Sequence, residues 1–137
     1  MIRKKFKKRS KKKGPVQARK ISYDGINFAS GLERYMYMAL KKAKIHAVYE
    51  GQTCGNGKGD YKNRGSKKIL NIKYTPDFIG QGFIIETKGR ANESFPLRWK
   101  MFKRYVVDHL HGVTLYKPQN QKECDETIRL ILSLRNK

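Results

Sequence analysis

The chain has 137 residues, which is enough for one domain with a single sizeable core. Its 32 Lys and Arg residues against 11 Asp and Glu give a net charge of +21, and this excess favours a polyanion, nucleic acid above all, as the partner. No apolar run is long enough to span a membrane and no signal-peptide pattern is present, so we expect a soluble, intracellular (cytoplasmic) protein with no membrane partner.

Residues 1–20 form a strongly basic segment with 11 Lys and Arg and no acid. Such a block cannot bury itself in a core, so it is predicted to be a flexible arm that lies along phosphates, with Lys11, Lys12 and Lys13 among its contacts. The alternative is a localisation or ribosome-type tail. The folded domain is then expected over residues 21–137.

Residues 21–68 are predicted to hold a hairpin, a helix, a strand and a loop. Ile21–Phe28 indicates strand, turn, strand around Asp24-Gly25, a dipeptide suited to a tight turn. From Gly31 to about Lys44 the apolar residues recur at helical spacing. Ile45–Glu50 alternates and is predicted to be a strand, whereas the glycine-rich Gly51–Lys68 is predicted to be a loop.

The rest of the chain is predicted to begin with a β-hairpin. Its strands are Lys67–Phe78 and Gly82–Lys88, and the short break at Gly80-Gln81-Gly82 favours antiparallel pairing. The later elements are expected to be a helix from about Pro96 to Leu110, a strand from Val113 to Tyr116 and a helix from Glu123 to Arg135. The predicted order is therefore β, β, α, β, β, β, α, β, α.

The cysteines and histidines lack the spacing of metal ligands. Cys54 and Cys124 form no Cys-x-x-Cys pair, so they are predicted to be reduced and structural, with no disulfide and no zinc site. His109 and His111 have no carboxylate or Cys at ligand spacing and are expected to face solvent at a helix end.

The stretch YTPDFIGQGFIIETKGR, residues 74–90, places two carboxylates and a lysine among strand residues. Glu86 and Lys88 share one face of a strand, and the hairpin brings Asp77 within reach of Glu86. Two carboxylates in one concavity repel unless a cation lies between them, and Mg²⁺ needs only one or two carboxylates. With Lys88 to orient a water, these parts suit phosphodiester hydrolysis. The alternative is an ordinary Glu–Lys pair on a solvated strand, with Asp77 as a turn residue after Pro76.

Glu33 stands on the first turn of the predicted first helix, where it can face the hairpin. Ser30-Gly31-Leu32-Glu33 also has the S-x-x-E form of a capping box, in which Glu33 would bond the backbone N–H of Ser30. Spacing alone favours the cap, although a carboxylate at a helix start can also be the neighbour of a metal ion.

Three motifs in order carry a family resemblance. Pro76-Asp77, nine further positions to Glu86, and Glu86-Thr87-Lys88 match the pattern of the PD-(D/E)xK, restriction-endonuclease-like superfamily of nucleases. More narrowly, SGLER at 30–34, YTPDF at 74–78 and ETKG at 86–89 resemble the phage endonuclease I family of Holliday junction resolvases. Related small phage nucleases share a YDG opening, here residues 23–25, and an F.L.WK segment, here FPLRWK at 95–100.

The resemblance implies an α/β (α+β) fold with a mixed central β-sheet flanked by helices. It implies one or two Mg²⁺ or Mn²⁺ ions held mainly by Asp77 and Glu86, with the backbone carbonyl of Thr87 joining the first ion and Glu33 serving the second. Lys88 would orient the attacking water. The implied catalytic set is therefore Glu33, Asp77, Glu86 and Lys88.

We expect a metal-dependent DNA endonuclease. The resemblance implies that it is structure-selective on branched DNA such as four-way junctions, acts as a homodimer in recombination and is encoded by a phage. The glycine-rich Gly51–Lys68 departs from that family's shorter link, through which its subunits exchange segments. Alternatives are a non-catalytic basic nucleic-acid-binding protein and a general nicking nuclease without junction preference. Contacts to DNA phosphates, which give affinity without sequence preference, are expected from the arm and from Lys62, Arg64, Lys67, Lys68, Arg98, Lys100, Lys103 and Arg104.

Overall fold

The structure is a computed structural model that describes residues 21–55 and 72–137. The predicted basic arm and the predicted DNA contacts Lys62, Arg64, Lys67 and Lys68 lie outside the described residues. The described helices are α1 (Gly31–Lys42), α2 (Phe95–His109) and α3 (Gln121–Arg135). The described strands are β1 (Ile21–Tyr23), β2 (Ile26–Phe28), β3 (Ala47–Tyr49), β4 (Cys54–Gly55), β5 (Lys73–Tyr74), β6 (Phe78–Gly80), β7 (Phe83–Ile85) and β8 (Thr114–Tyr116).

A four-stranded mixed sheet with the order β3-β6-β7-β8 lies at the centre of the fold. The β3–β6 and β6–β7 pairs are antiparallel, whereas β7 and β8 are parallel. Parallel neighbours need a crossover connection, and α2 supplies it between β7 and β8. The predicted α+β class and mixed sheet are therefore confirmed.

Helices cover both faces of this sheet. Phe83 and Ile85 of β7 belong to the core cluster that contains residues of α1 and α3, whereas Ile84 belongs to a second cluster with α2. This division follows from the alternation of side chains along a strand. The sheet thus has α1 and α3 on one face and α2 on the other.

The prediction of one continuous strand from Lys67 to Phe78 is wrong in the part that the structure describes. The chain forms β5, leaves strand conformation over Thr75–Asp77 and then enters β6, and these two strands lie in different sheets because β5 pairs with β4. Pro76 lies in the break, where its missing N–H cannot support a continuous ladder. The predicted hairpin is formed by β6 and β7, and its turn holds Gly82 at φ +79°, a conformation that favours glycine.

The predicted loop Gly51–Lys68 is wrong in its described part, because Cys54–Gly55 forms β4 by pairing with the distant β5, which glycine content does not reveal. The remaining predicted elements agree with the structure to within a few residues. The hairpin at Ile21–Phe28 is confirmed, and α1 ends at Lys42 instead of Lys44. Helix α3 begins two residues before its predicted start because Asn120 Oδ1 accepts a hydrogen bond from the Glu123 N–H at 2.9 Å and caps it.

Cys54 and Cys124 are buried free thiols, and each belongs to a different core cluster. His109 and His111 are exposed at the end of α2. Among the described residues, no helix combines the length and the apolar character needed to cross a bilayer.

Candidate active site

The four predicted catalytic residues line one cleft of about 230 Å³. Glu33 comes from the first turn of α1, Asp77 precedes β6, and Glu86 and Lys88 follow β7. Glu50 also lines this cleft. Four of the chain's 11 acidic residues therefore gather in one concavity of a protein whose net charge is +21.

The β6–β7 hairpin places Asp77 opposite Glu86. Phe78 pairs with Ile85 in the register of the two strands, and Asp77 and Glu86 are the next residues outward on each side. The Thr87 backbone N–H and hydroxyl both donate to Asp77 Oδ2, at 2.7 and 2.6 Å. Thr87 therefore fixes the orientation of the Asp77 carboxylate.

Glu86 and Lys88 remain in register with the chain that follows β8. The Glu86 N–H donates to the Tyr116 carbonyl at 2.9 Å and the Lys88 N–H to the Pro118 carbonyl at 3.1 Å. The intervening Thr87 N–H points to Asp77 instead. This alternation extends the strand beyond β7 and supports the prediction that Glu86 and Lys88 project on the same side.

Glu33 both caps α1 and lines the cleft. Its Oε1 accepts from the Ser30 hydroxyl at 2.9 Å, and the Ser30 hydroxyl accepts from the Glu33 N–H at 3.2 Å. Its Oε2 accepts from the Tyr49 hydroxyl at 2.5 Å and from the Ala29 N–H at 3.3 Å. The cap therefore uses the N–H of Ala29 where the sequence predicted that of Ser30. These bonds hold a buried carboxylate in a fixed position.

The carboxyl groups of the cleft disfavour one another's charged forms. Burial and the charge of Glu33 raise the pKa of Asp77 to about 6, against the hydrogen bonds from Thr87. Burial and the charge of Asp77 raise the pKa of Glu86 to about 8, an effect that Lys88 partly offsets. A cation between these groups would relieve the repulsion.

Two buried polar atoms of residues that line the cleft lack partners. Glu86 Oε2 and the Tyr74 hydroxyl are buried and, within residues 21–55 and 72–137, make no hydrogen bond. They nevertheless lie close enough for Tyr74 to favour the charged form of Glu86, and burial raises the pKa of Tyr74. A buried polar group without a partner costs about 1–3 kcal/mol, so the site favours a ligand that supplies one.

Two side chains of the cleft, Asp77 and Glu86, offer oxygen ligands of the kind that a hard cation prefers. Asp77 and Glu86 are the one or two carboxylates that Mg²⁺ requires. However, the part of the chain that the structure describes contains no group of three or more His, Cys, Asp and Glu side chains placed to hold a metal ion. The ligand roles of Asp77, Glu86, Glu33 and the Thr87 carbonyl therefore stay predictions.

Of the predicted DNA contacts on α2, Arg98 lies in the same cleft. Its Nη2 donates to the Lys73 carbonyl at 3.1 Å, and its guanidinium lies 5.8 Å from the centroid of the Tyr74 ring. Lys100 and Lys103 line a neighbouring cleft. Arg104 lines neither cleft and forms an ion pair with Asp108 at 3.0 Å.

Sequence reasoning missed Glu50 and several other residues of this region. Tyr49 and Tyr74 reach Glu33 and Glu86 from β3 and β5, and no local pattern marks a tyrosine for that task. Lys117 lies in the neighbouring cleft directly after β8. The parallel pairing of β7 and β8 could have indicated it, because the carboxyl ends of parallel strands meet at one edge of a sheet.

In EDTA, we expect the free energy of unfolding to fall as pH rises from about 5 to 8. The folded-state pKa values of Asp77, about 6, and Glu86, about 8, exceed their ordinary values of 3.8 and 4.5. The folded state therefore holds protons that the unfolded chain releases, and each group lowers stability by about 1.4 kcal/mol per pH unit between its two values. Urea unfolding at several pH values measures this slope.

In the variant Glu86→Gln, the free energy of unfolding should fall less steeply with pH, because the amide carries no charge in the buried site. Glu126→Gln is the matched control, since Glu126 is exposed on α3. Equal slopes for the wild type and Glu86→Gln would contradict the raised pKa of Glu86.

Comparison with known proteins places these residues in one family. No curated protein and no solved structure matches the chain. The model of a family described as "Protein of unknown function (DUF1064)" matches residues 9–118, a stretch that contains the four cleft residues Glu33, Asp77, Glu86 and Lys88. Because this match covers most of its 137 residues, the chain belongs to the DUF1064 family.

Proposed function

We propose that the protein is a divalent-metal-dependent DNA endonuclease that hydrolyses phosphodiester bonds. The observation that carries the proposal is the opposition of two carboxylates, Asp77 and Glu86, beside Lys88 in one cleft of a chain with net charge +21. A protein that only binds nucleic acid gains nothing from carboxylates that face phosphates without a cation. Hydrolysis of a phosphodiester uses such an arrangement.

Asp77 and Glu86 would hold a Mg²⁺ or Mn²⁺ ion. Glu86 Oε2, which has no partner among the described residues, and the carboxylate of Asp77 are the oxygen donors that such an ion prefers. When bound, the ion would neutralise the two carboxylates and polarise the scissile phosphate. Glu33, which lines the cleft and accepts a hydrogen bond from Tyr49, is the proposed neighbour of a second ion.

The remaining side chains would position the reactants. Thr87 holds Asp77 through two hydrogen bonds, so this carboxylate needs little reorientation. Lys88 Nζ lies 4.8 Å from the centroid of the Phe95 ring, which restrains the ammonium at the cleft. We assign Lys88 to the orientation of the attacking water and Arg98, on the same cleft, to a non-bridging phosphate oxygen.

The resemblance to the PD-(D/E)xK superfamily supports the same reaction. The motif spans a hairpin within a four-stranded mixed sheet that has helices on both faces, which is compatible with the fold that the resemblance implies. On this basis we propose branched DNA as the preferred substrate and a homodimer as the active form, since two cuts at a junction require two sites.

A non-catalytic nucleic-acid-binding protein is the competing function. The observation in its favour is that both oxygens of Glu33 accept hydrogen bonds from the cap and from Tyr49, so this acid has a structural role without a metal. The net charge of +21 by itself also accounts for binding to DNA.

With Mg²⁺ present, we expect the protein to nick supercoiled plasmid and EDTA to abolish the nicking. Asp77→Asn and Glu86→Gln each remove a charged ligand and should lower the rate by roughly a thousandfold, while Lys88→Gln should lower it by about a hundredfold. Agarose gels of a time course measure the rates.

Glu126→Gln, an exposed change of the same type on α3, should retain the wild-type rate. Tight binding of DNA without cleavage in either Mg²⁺ or Mn²⁺ would favour the binding-protein function instead.

The preference for branched DNA predicts faster cleavage of a labelled four-way junction than of a flap or of a plain duplex of the same sequence. Single-turnover rates on the three substrates at equal ionic strength measure it, because salt alters the electrostatic part of binding. Equal rates on all three would remove the junction preference and leave a general nicking nuclease.

A further inference from the structure

A second cleft, of about 440 Å³, adjoins the acidic one. Four lysines line it, and none of its lining residues is acidic; we call it the lysine cleft, and its lysines are Lys88, Lys100, Lys103 and Lys117. Lys100 and Lys103 come from α2, and Lys117 follows β8. Three elements that are distant in sequence therefore direct ammonium groups at one concavity.

None of these ammonium groups forms an ion pair in the described part of the chain, although the charge of Lys88 acts on Asp77 and Glu86. None of the carboxylates in residues 21–55 and 72–137 lies within 4.0 Å of a lysine of the cleft. The ammonium groups of Lys88 and Lys117 lie 4.8 and 5.9 Å from the centroid of the same Phe95 ring, so two positive charges contact one aromatic side chain. Such a group of like charges is more stable when an anion lies among them.

The two clefts meet at shared residues. Lys88 and Phe95 line both of them. Phe95 is also the first residue of α2, whose first turn holds no acidic residue. A phosphodiester strand that enters the lysine cleft can therefore continue into the acidic cleft.

We propose that the lysine cleft binds the phosphates of the DNA strand on one side of the scissile phosphate, with the strand crossing Phe95 between the clefts. This inference rests on the proposed function in assigning the scissile phosphate to the acidic cleft. The proposal adds Lys117 to the DNA-binding residues, and it assigns Lys100 and Lys103 to the same stretch of DNA phosphates. The uniform charge of the cleft suits a repeating polyanion, and contacts of this kind hold any sequence.

The test compares two double variants that each remove two positive charges. Lys103→Gln with Lys117→Gln alters the lysine cleft. Lys42→Gln with Lys44→Gln is the matched control, because both lysines are exposed at the end of α1, on the other face of the sheet. Binding of labelled DNA is measured by fluorescence anisotropy in EDTA over a range of salt concentrations, with single-stranded and duplex forms of one sequence as separate arms.

The cleft variant should weaken binding by about tenfold and reduce the slope of log K against log salt by roughly 1.5, since each lost phosphate contact accounts for about 0.7 to 0.9. The control should change both quantities much less. The arm with the larger loss identifies whether an unpaired or a paired strand occupies the cleft. Equal effects of the two double variants in both arms would overturn the proposal.

In Mg²⁺, the cleft variant should raise KM by a similar factor with little change in kcat, because binding of the flanking strand is the same in the ground and transition states. A wild-type protein that binds DNA but never cleaves it would refute the proposed endonuclease. The anisotropy comparison would still decide whether the lysine cleft binds DNA, so the two failures are distinguishable.

Discussion

The candidate site depends on one arrangement that is costly in free energy. Asp77 and Glu86 are buried opposite each other at the open end of the β6–β7 hairpin. Burial raises the pKa of both carboxyl groups, the charge of Asp77 raises that of Glu86 further, and the charge of Glu33 raises that of Asp77. Thr87 binds Asp77 through its backbone and its hydroxyl, so the pair cannot separate without loss of those bonds. A protein maintains such repulsion when a bound cation compensates for it, and this is the physical basis of the nuclease proposal.

The surrounding fold makes the arrangement rigid and gives it access to a polyanion. The hairpin lies in the middle of the mixed sheet, with β3 on one side and β8 on the other, and both faces carry helices. The acids lie at the edge where β7 and β8 end, and the start of α2 lies beside them. The lysine cleft begins at this same edge. An acidic cleft thus adjoins a lysine cleft, and we propose that the first holds a metal ion and the second holds phosphates.

The sequence was sufficient for the local geometry of the site. The turn at Gln81-Gly82 pairs Gly80 with Phe83. The same register, continued to the far ends of the two strands, places Asp77 opposite Glu86. The S-x-x-E pattern likewise predicted a cap by Glu33. The break before β6 was missed because the apolar pattern runs through Pro76 without change. Contacts from Tyr49, Tyr74 and Lys117 were missed because they depend on the pairing of distant strands, which local periodicity does not encode.

Isothermal titration with Mn²⁺ near neutral pH, in two buffers of different protonation enthalpy, tests the central claim most directly. An ion binds Asp77 and Glu86 only when both carboxyl groups are charged. Because their pKa values are raised, these groups keep part of their protons in the absence of the ion, and each bound ion should release those protons. We predict binding with proton release by the wild type and its loss in Asp77→Asn. Absence of binding, or unaltered binding by Asp77→Asn, would contradict the account.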